Sequence, residues 1–490
     1  MTRTTLTAST LSLGALLSAC TPPVQTPPAV DAAAPPVASG STSNCLAPPK
    51  LVSTVPKDIA LTRQADANCF AWQEFIALNW AASPTQRGQP NTAVPPSQFG
   101  VPKSTDATVW ETYKDSDEVF LADARDPGAW NASPAAPGTV KLLGGARPRL
   151  SPEPNVDLSE IGQASQGSPW LTAQNKLPTL YERLMNEDEY NYIRQNKLYD
   201  ATMQQTFVVS PGSNLPDGTA TSAAYGPTGA IEIKAAWLEL PNPADWPRFK
   251  IARARVTYPG QAPKDVVVGL TGLHIIHKTA LGQQFIWATF EHRQNVPDAT
   301  QVASKTFKPP YTYFNPNCNP ATDYYKCVAN ANPSTVNGGN NPISAPIQAV
   351  RTTPIPSRPN NDVVGLNEYV WSQVIATQSP QSVFLNYQLV NTLWSNQNTA
   401  IPAGARTPLI AAQLSPGASQ EPVANTTMET YVQNLTCLTC HASAPIASVT
   451  PRKATKVFDP ATWGSPATAQ NPYASDYSFL FQTAQQPKRP

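Results

Sequence analysis

The middle of the chain contains Val266–His277 (VVVGLTGLHIIH) and, after a short turn, Phe285–His292 (FIWATFEH). Polar and apolar residues alternate along much of both segments, which is typical of half-buried β-strands. The turn at Leu281–Gln283 joins them into a predicted hairpin. Ile231–Ile233 and Ala252–Tyr258 alternate in the same way. We therefore predict a central antiparallel sheet.

An aromatic-rich segment near the start of the chain has the spacing of a buried helix. Within Asn68–Trp80, the side chains of Trp72, Phe75 and Ile76 fall on one helical face. Asp66, just upstream, is a residue type that caps helix N-termini. The segment predicts a core helix.

Four further segments have helical patterns: 181–205, 363–376, 383–394 and 424–433. Frequent Pro and Gly between 84 and 180 instead indicate irregular structure. Together these patterns predict an α+β fold, an irregular, loop-rich domain with a central antiparallel sheet and flanking helices.

The composition limits the classes of partner. The chain has 490 residues, of which 41% are hydrophobic and 14% are charged. This provides enough apolar surface for a sizeable core and excludes a disordered polyelectrolyte. Lys and Arg total 34, against 33 for Asp and Glu. Because nucleic-acid binding draws on an excess of basic residues, we expect no nucleic-acid partner.

Residues 1–19 have the features of an export leader, since one basic residue, Arg3, precedes an uncharged stretch rich in Leu. The tetrad Leu17-Ser18-Ala19-Cys20 resembles the lipobox of bacterial lipoproteins. The resemblance implies cleavage before Cys20, acylation of this cysteine and a lipid anchor in the bacterial cell envelope. Thr21 stands where an Asp would favour the inner membrane, which implies attachment to the outer membrane, facing the periplasm.

The next segment, 20–57, is rich in Pro and Ala, and no aromatic residue occurs before Phe70. Such a sequence cannot bury enough apolar surface to offset the entropy of ordering it. We therefore predict an extended tether at 20–57 and a single large folded domain at 58–490.

The strongest motif is Cys437-Leu438-Thr439-Cys440-His441, the C-x-x-C-H pattern of c-type haem attachment. In this chemistry each thiol adds to one haem vinyl group, and the histidine after the second cysteine ligates the iron. We predict one covalently attached haem c, bound through Cys437 and Cys440, with His441 as an iron ligand.

Two other chemistries use closely spaced cysteines. A thioredoxin-like redox disulfide follows a strand in a βαβ unit, whereas the residues before Cys437 have a helical pattern. A zinc site needs a fourth ligand, which only distant histidines or cysteines could supply. The adjacent His441 favours haem c, and attachment of haem outside the cytoplasm agrees with the export leader.

Seven cysteines occur in the chain. Lipidation would use Cys20 and the haem motif two more, so four remain for disulfides in an oxidising compartment. We predict that Cys318 pairs with Cys327, because both lie in one Asn- and Pro-rich loop. Cys45 is predicted to fasten the end of the tether to the first helix at Cys69.

The residues around these motifs resemble proteobacterial sequences described only as cytochrome c family lipoproteins. The resemblance is carried by Ala424–Tyr431 ahead of the C-x-x-C-H motif, by Leu273–Thr279 and by Trp287–His292. It implies a haem lipoprotein over 60–490 and no particular activity.

A second axial ligand must come from upstream, because no Met or His follows His441. The small all-α cytochrome c fold places a Met downstream of its motif, so we do not expect that fold here. The predicted hairpin carries His277, our first candidate, then His274 and His292. Residues three apart on a strand point to opposite faces, so at most one of His274 and His277 faces the haem. The remaining candidates are Met185, Met203 and Met428.

These expectations describe an envelope-anchored mono-haem cytochrome that transfers electrons to a redox partner protein or a small molecule. A domain of this size exceeds what an electron carrier needs, which suggests a docking surface or a substrate pocket. The alternative is a haem enzyme, a peroxidase or oxygenase, with an open distal site and a hairpin histidine as acid and base. A haem-based sensor is a third class.

Overall fold

The computed structural model describes residues 44–132, 141–143, 161–165, 169–209, 211–258, 261–319, 321, 324–394, 422–441, 444–449 and 475–487. The predicted leader, the lipidation site Cys20 and the tether up to residue 43 lie outside these residues. No helix within the described ranges combines the length and apolarity needed to cross a membrane.

A mostly antiparallel sheet forms the centre of the molecule. Its eight strands among the described residues are β1 (Lys114–Asp115), β2 (Lys141–Leu143), β3 (Leu180–Met185), β4 (Ile231–Glu239), β5 (Ile251–Val256), β6 (Lys264–His277), β7 (Ile286–His292) and β10 (Tyr387–Leu393). The strands β8 (Ser357–Arg358) and β9 (Asn361–Asp362) form a separate pair. The long strand β6 organises the sheet. It pairs with β4 on one edge, and on the other edge with β5 in its first half and β7 in its second half.

Strand β3 joins β4 to β1, β10 pairs with β7, and β2 pairs with β5 in the parallel direction. The helices are α1 (Gln64–Leu78), α2 (Ser116–Val119), α3 (Glu187–Gln195), α4 (Ala201–Val209), α5 (Ala299–Ser304), α6 (Tyr324–Cys327), α7 (Val363–Tyr369) and α8 (Cys437–His441). The predicted α+β fold, a central antiparallel sheet with several helices, is confirmed, and the fold is not a small all-α bundle.

Helix α1 is a core helix, as its aromatic spacing predicts. Phe75 stacks on Phe290 of β7 with ring centroids 4.3 Å apart, and Trp72 contacts the same ring edge-on at 5.0 Å. The Trp72 indole also donates a hydrogen bond to Asn367 of α7. Full burial of one such side chain contributes roughly 1.5–3 kcal/mol.

Asp66 does not cap α1, contrary to the prediction. The helix begins at Gln64, so Asp66 lies in its first turn. Its carboxylate accepts a hydrogen bond from the backbone N–H of Leu46 at 2.7 Å and pairs with the Arg63 guanidinium. The residue therefore attaches the incoming chain to the helix.

Two segments predicted as helices contain strands. In 383–394 the strand β10 has a bulge between Leu389 and Asn391, which breaks the alternation of a regular strand. In 181–205 the first residues form β3, whose side chains are buried on both faces, so no alternation marks it. The helical prediction holds for α3 and α4 further along, and for α7 within 363–376.

The segment 424–433, predicted as a helix, is a series of turns. Asn425 donates to the carbonyl oxygen of Phe290 at 2.7 Å, and the Thr426 hydroxyl donates to Glu291 at 2.7 Å. Short polar side chains that bond in this way compete with helix formation. We call residues 422–433 the cover segment, because they lie on one face of the sheet.

Two predicted cysteine pairs lie at disulfide distance. The Cα atoms of Cys45 and Cys69 are 6.2 Å apart, and those of Cys318 and Cys327 are 5.5 Å apart. Each separation is within the range of protein disulfides. Cys45 thus joins the end of the predicted tether to α1.

Candidate functional site

The C-x-x-C-H motif forms α8, a helix of five residues that packs against the sheet. The His441 ring contacts Trp287 of β7 edge-on, with ring centroids 4.6 Å apart, and Phe479 at 4.8 Å. Leu438 between the cysteines is buried. Packing on both sides of the imidazole holds its ring in one orientation.

One nitrogen of His441 has a defined partner. Its Nδ1 lies 2.8 Å from the carbonyl oxygen of Tyr477. Because a carbonyl only accepts, Nδ1 carries the proton, and Nε2 keeps its lone pair. Burial lowers the pKa of His441 to about 4, so the ring is neutral at pH 7.

The two motif cysteines lie outside both disulfides. Burial, together with the nearby Glu429 and Cys440, raises the pKa of the Cys437 thiol well above its usual value. The thiol is therefore protonated and held in an apolar setting. It is not activated as a redox or nucleophilic thiolate would be.

The sheet face under α8 carries the second group of polar side chains. His274 of β6 pairs with Lys234 of β4 and Thr289 of β7, and Ile276 pairs with Trp287. Directly opposed residues project to the same face, so His274, Lys234 and Trp287 lie together. This is the face that the cover segment and α8 contact.

Gly272 allows the cover segment to approach. A Cβ at this position would lie 2.3 Å from the Thr427 hydroxyl and 2.8 Å from the Asn425 side chain. Any larger residue would force the two layers apart. The glycine therefore sets the distance between the cover segment and the strand that carries His274.

His274 lies beside a carboxylate. Its Nε2 is 3.3 Å from a carboxylate oxygen of Glu429, which is an ion-pair distance, although the geometry is not that of a regular hydrogen bond. Burial alone would raise the pKa of Glu429, but the interactions with His274 and Lys234 outweigh it and the pKa lies below its usual value. The site thus combines an imidazole with an ionised carboxylate.

Lys234 is the third ionisable side chain on this face, beside His274 and Glu429. Burial lowers its pKa, although Glu429 opposes that shift. Its Nζ donates to the backbone carbonyl of Gln163 at 3.3 Å. Glu429, Lys234 and Trp287 were missed by sequence reasoning, because only the strand register and the cover segment bring them to the motif.

The side chain of His277 points to the face of β6 opposite to that of His274, as strand geometry predicts. Its Nδ1 contacts Glu74 of α1, and its Nε2 lies 2.9 Å from the carbonyl oxygen of Thr228. Burial lowers the pKa of His277, but Glu74 outweighs this effect and the pKa is raised. Both nitrogens are engaged in the core, away from His441.

His292 lies on the same face as His277. Its Nε2 donates to the carbonyl oxygen of Arg248 at 2.9 Å, and its Nδ1 accepts from the backbone N–H of Gln294 at 3.2 Å. Burial lowers its pKa to about 3. Of the three hairpin histidines, the structure brings His274 alone to the face of the motif.

The methionine candidates are packed or exposed. Met185 lies in the main core, and Met428 packs against Tyr181 and Ala236. Met203 on α4 is 39% exposed. None of the three is placed beside His441 by a contact among the described residues.

These residues fit a covalently attached haem. Cys437 and Cys440 occupy one short helix with His441, whose neutral ring leaves Nε2 available, and His274 offers a second imidazole nitrogen without a hydrogen bond. Within the described ranges, no group of three or more His, Cys, Asp or Glu side chains is arranged to hold a bare metal ion.

No family model, curated protein or solved structure matches the chain. The residues and their geometry therefore carry the functional inference.

Proposed function

We propose that this protein is a mono-haem c-type cytochrome that transfers electrons in the bacterial cell envelope. Thioether bonds from Cys437 and Cys440 would hold the haem, with His441 as one axial ligand. When bound, the group supplies an iron that cycles between two oxidation states.

The observation that carries this proposal is the state of His441. Its Nδ1–H donates to the Tyr477 carbonyl, and burial keeps the ring neutral. Metal-ligating histidines characteristically donate their second ring N–H to a carbonyl or carboxylate, which fixes the tautomer and raises ligand basicity.

His274 is the proposed second axial ligand. It lies on the sheet face that α8 contacts, and its Nε2 has no hydrogen bond among the described residues. His277 and His292 each use both ring nitrogens on the opposite face. Ligation by two histidines gives a lower reduction potential than ligation by His and Met.

The envelope location is proposed from the leader, the lipobox-like Cys20 and the two cysteine pairs, since disulfides persist in oxidising compartments. The lipid anchor would make the outer membrane one partner. The electron donor or acceptor, a protein or a small molecule, is the other.

Absorption and EPR spectra of the purified full-length protein test this function. We expect a low-spin ferric haem that does not bind cyanide, and loss of covalent haem in the variant Cys437→Ala/Cys440→Ala. A matched control is Cys318→Ala/Cys327→Ala, which removes the other short-range cysteine pair and should keep the spectrum. A ferric haem that is high-spin and binds cyanide readily would overturn the carrier assignment.

The pairing of His274 with Glu429 favours a second candidate, a haem enzyme. A carboxylate 3.3 Å from an imidazole can hold that ring as an acid and base above an open iron position. In that case the wild-type iron is high-spin, and Glu429→Gln lowers turnover of hydrogen peroxide while the spin state is unchanged. If the protein is an electron carrier, neither the wild type nor Glu429→Gln turns over hydrogen peroxide.

A further inference from the structure

The turn that contacts His441 has an unusual backbone. Asp476 and Tyr477 have φ values of +54° and +69°, in the left-handed region that side-chain-bearing residues rarely adopt. Two consecutive residues of this kind persist only where the surroundings hold them. This conformation presents the Tyr477 carbonyl to Nδ1 of His441 at 2.8 Å.

A buried ion pair holds this turn. Lys278, directly after β6, lies 2.5 Å from an Asp476 carboxylate oxygen, and both side chains are fully buried. The same oxygen accepts from the backbone N–H of Leu215 at 2.7 Å. The Lys278 ammonium also donates to Asn214 at 2.6 Å. The turn is thereby tied to the end of β6 and to the loop at 214–215.

Other contacts also hold the turn. The Ser475 hydroxyl lies 2.6 Å from the carbonyl oxygen of Ser478 and 2.8 Å from that of Ala444, so it closes the turn on itself and on a neighbouring segment. The Tyr477 ring packs on Trp287 of β7 with ring centroids 6.3 Å apart. The Lys278–Asp476 pair adds an ionic contact between the strained residues and the end of β6.

We propose that Lys278 and Asp476 are positioning residues that hold the Tyr477 carbonyl on His441 and thereby set the reduction potential of the haem. This inference rests on the proposed function. A carbonyl that accepts from Nδ1 makes the imidazole a stronger donor to iron, which favours the ferric state. Loosening the turn should therefore raise the potential.

The test compares the wild-type holoprotein with Lys278→Met/Asp476→Asn. Removing both charges avoids leaving one buried and unpaired, so the double variant should fold. We expect a three- to tenfold shift towards ferrous haem at a fixed potential, equivalent to about 30–60 mV. We also expect the Nδ1–H of His441 to lose its hydrogen bond to the Tyr477 carbonyl, observed by ¹⁵N NMR of the ferrous protein as a changed Nδ1 shift and faster exchange of this proton with solvent.

A second buried pair, Lys250 and Glu111, supplies the control. Their charged atoms are 2.9 Å apart and both side chains are nearly fully buried, but neither contacts the motif. Lys250→Met/Glu111→Gln should change stability without moving the potential. An unchanged potential and an unchanged exchange rate of the Nδ1 proton in Lys278→Met/Asp476→Asn, or an equal shift in the control, would overturn the proposal.

If the double variant does not fold, the reduction potential is measured in Asp476→Glu instead. This variant keeps both charges and displaces the carboxylate by one methylene. A shift in the same direction supports the proposal, and an unchanged potential overturns it. A wild-type chain that carries no haem overturns the proposed function instead. In that chain the His441 tautomer, compared between wild type and the double variant, still tests the positioning role.

Discussion

Burial and hydrogen bonding give the histidines different chemical states. Burial lowers the pKa of His441 to about 4 and that of His292 to about 3, so both are neutral at pH 7. Glu74 raises the pKa of His277 despite burial and makes it part of a core ion pair. His274 keeps one nitrogen without a hydrogen bond. Residue type and spacing alone do not distinguish these four environments.

Replacing His274 by Ala tests the second axial ligand. We expect the ferric haem to change from low-spin to high-spin and to gain cyanide binding, because the sixth position opens. Stability should fall by about 1–3 kcal/mol, since the variant removes the imidazole that lies 3.3 Å from the Glu429 carboxylate. EPR and urea unfolding measure the two effects.

The matched control is His292→Asn. This variant loses hydrogen bonds in the core, which costs roughly 1–3 kcal/mol, but its spectrum should match wild type. A low-spin spectrum retained in His274→Ala would rule out His274 as the ligand.

Glu232 of β4 should give the protein a pH-dependent stability. Burial, with a smaller effect of Asp476, raises its pKa to about 7, whereas an unfolded Glu titrates near about 4.3. Between these values the native state binds a proton that the unfolded state has lost. The free energy of unfolding therefore falls as pH rises from about 4.3 to about 7.

Glu232→Gln removes this contribution. Urea unfolding at pH 5 and pH 7.5 should show a smaller decrease in stability with rising pH in the variant than in wild type. Parallel curves for the two proteins would contradict the raised pKa. The neighbouring Glu189, whose pKa is raised by burial and by Glu232, contributes with the same sign in both proteins but less in the variant.

The two faces of β6 and β7 separate a core from a candidate site. Phe290 and His277 face α1, while His274 and Trp287 face the cover segment and α8. This division follows from the period of two in a strand, so the sequence predicts it once the strands are recognised. Which face receives the motif depends on contacts between residues far apart in the chain.

Gly272→Ala tests the close approach of the cover segment. The new Cβ would lie 2.3 Å from the Thr427 hydroxyl, so we expect a loss of about 1–3 kcal/mol in unfolding free energy. Adding Thr427→Ala removes the closest clashing atom and should recover part of the loss. A strictly additive double-mutant cycle would contradict this contact.

The elements that were predicted correctly have regular patterns. The hairpin of β6 and β7 alternates, and α1 has helical spacing over several turns. Sequence reasoning failed at β10, where a bulge breaks the period, and in the cover segment, where Asn and Thr side chains replace helical hydrogen bonds. Both failures arise from tertiary contacts that no local pattern records.

Among the described residues, one main sheet and its helices support a small motif. The sheet and α1 provide a rigid support, while the cover segment, α8 and the turn at 475–478 complete the candidate site. The Cys45–Cys69 pair joins the predicted tether to α1 at a sequence separation of 24, against 9 for Cys318 and Cys327. These links would matter most in a protein that is held by its N-terminus.

Removing each cysteine pair should lower stability, and by more for the pair that closes the longer loop. Loop entropy gives about 3.5 kcal/mol for Cys45→Ser/Cys69→Ser and about 2.6 kcal/mol for Cys318→Ser/Cys327→Ser. Urea unfolding of the two double variants measures the difference. Equal stability of both variants and wild type would show that these pairs do not form disulfides in the protein.

Haem staining of the denatured full-length protein, produced together with a cytochrome c maturation system, tests the central claim most directly. We predict a stained band at the position of the chain and, by mass spectrometry, one haem on the peptide that contains Cys437 and Cys440, both lost in Cys437→Ala/Cys440→Ala. An unstained wild-type band, with Cys437 and Cys440 recovered as unmodified thiols, would contradict it.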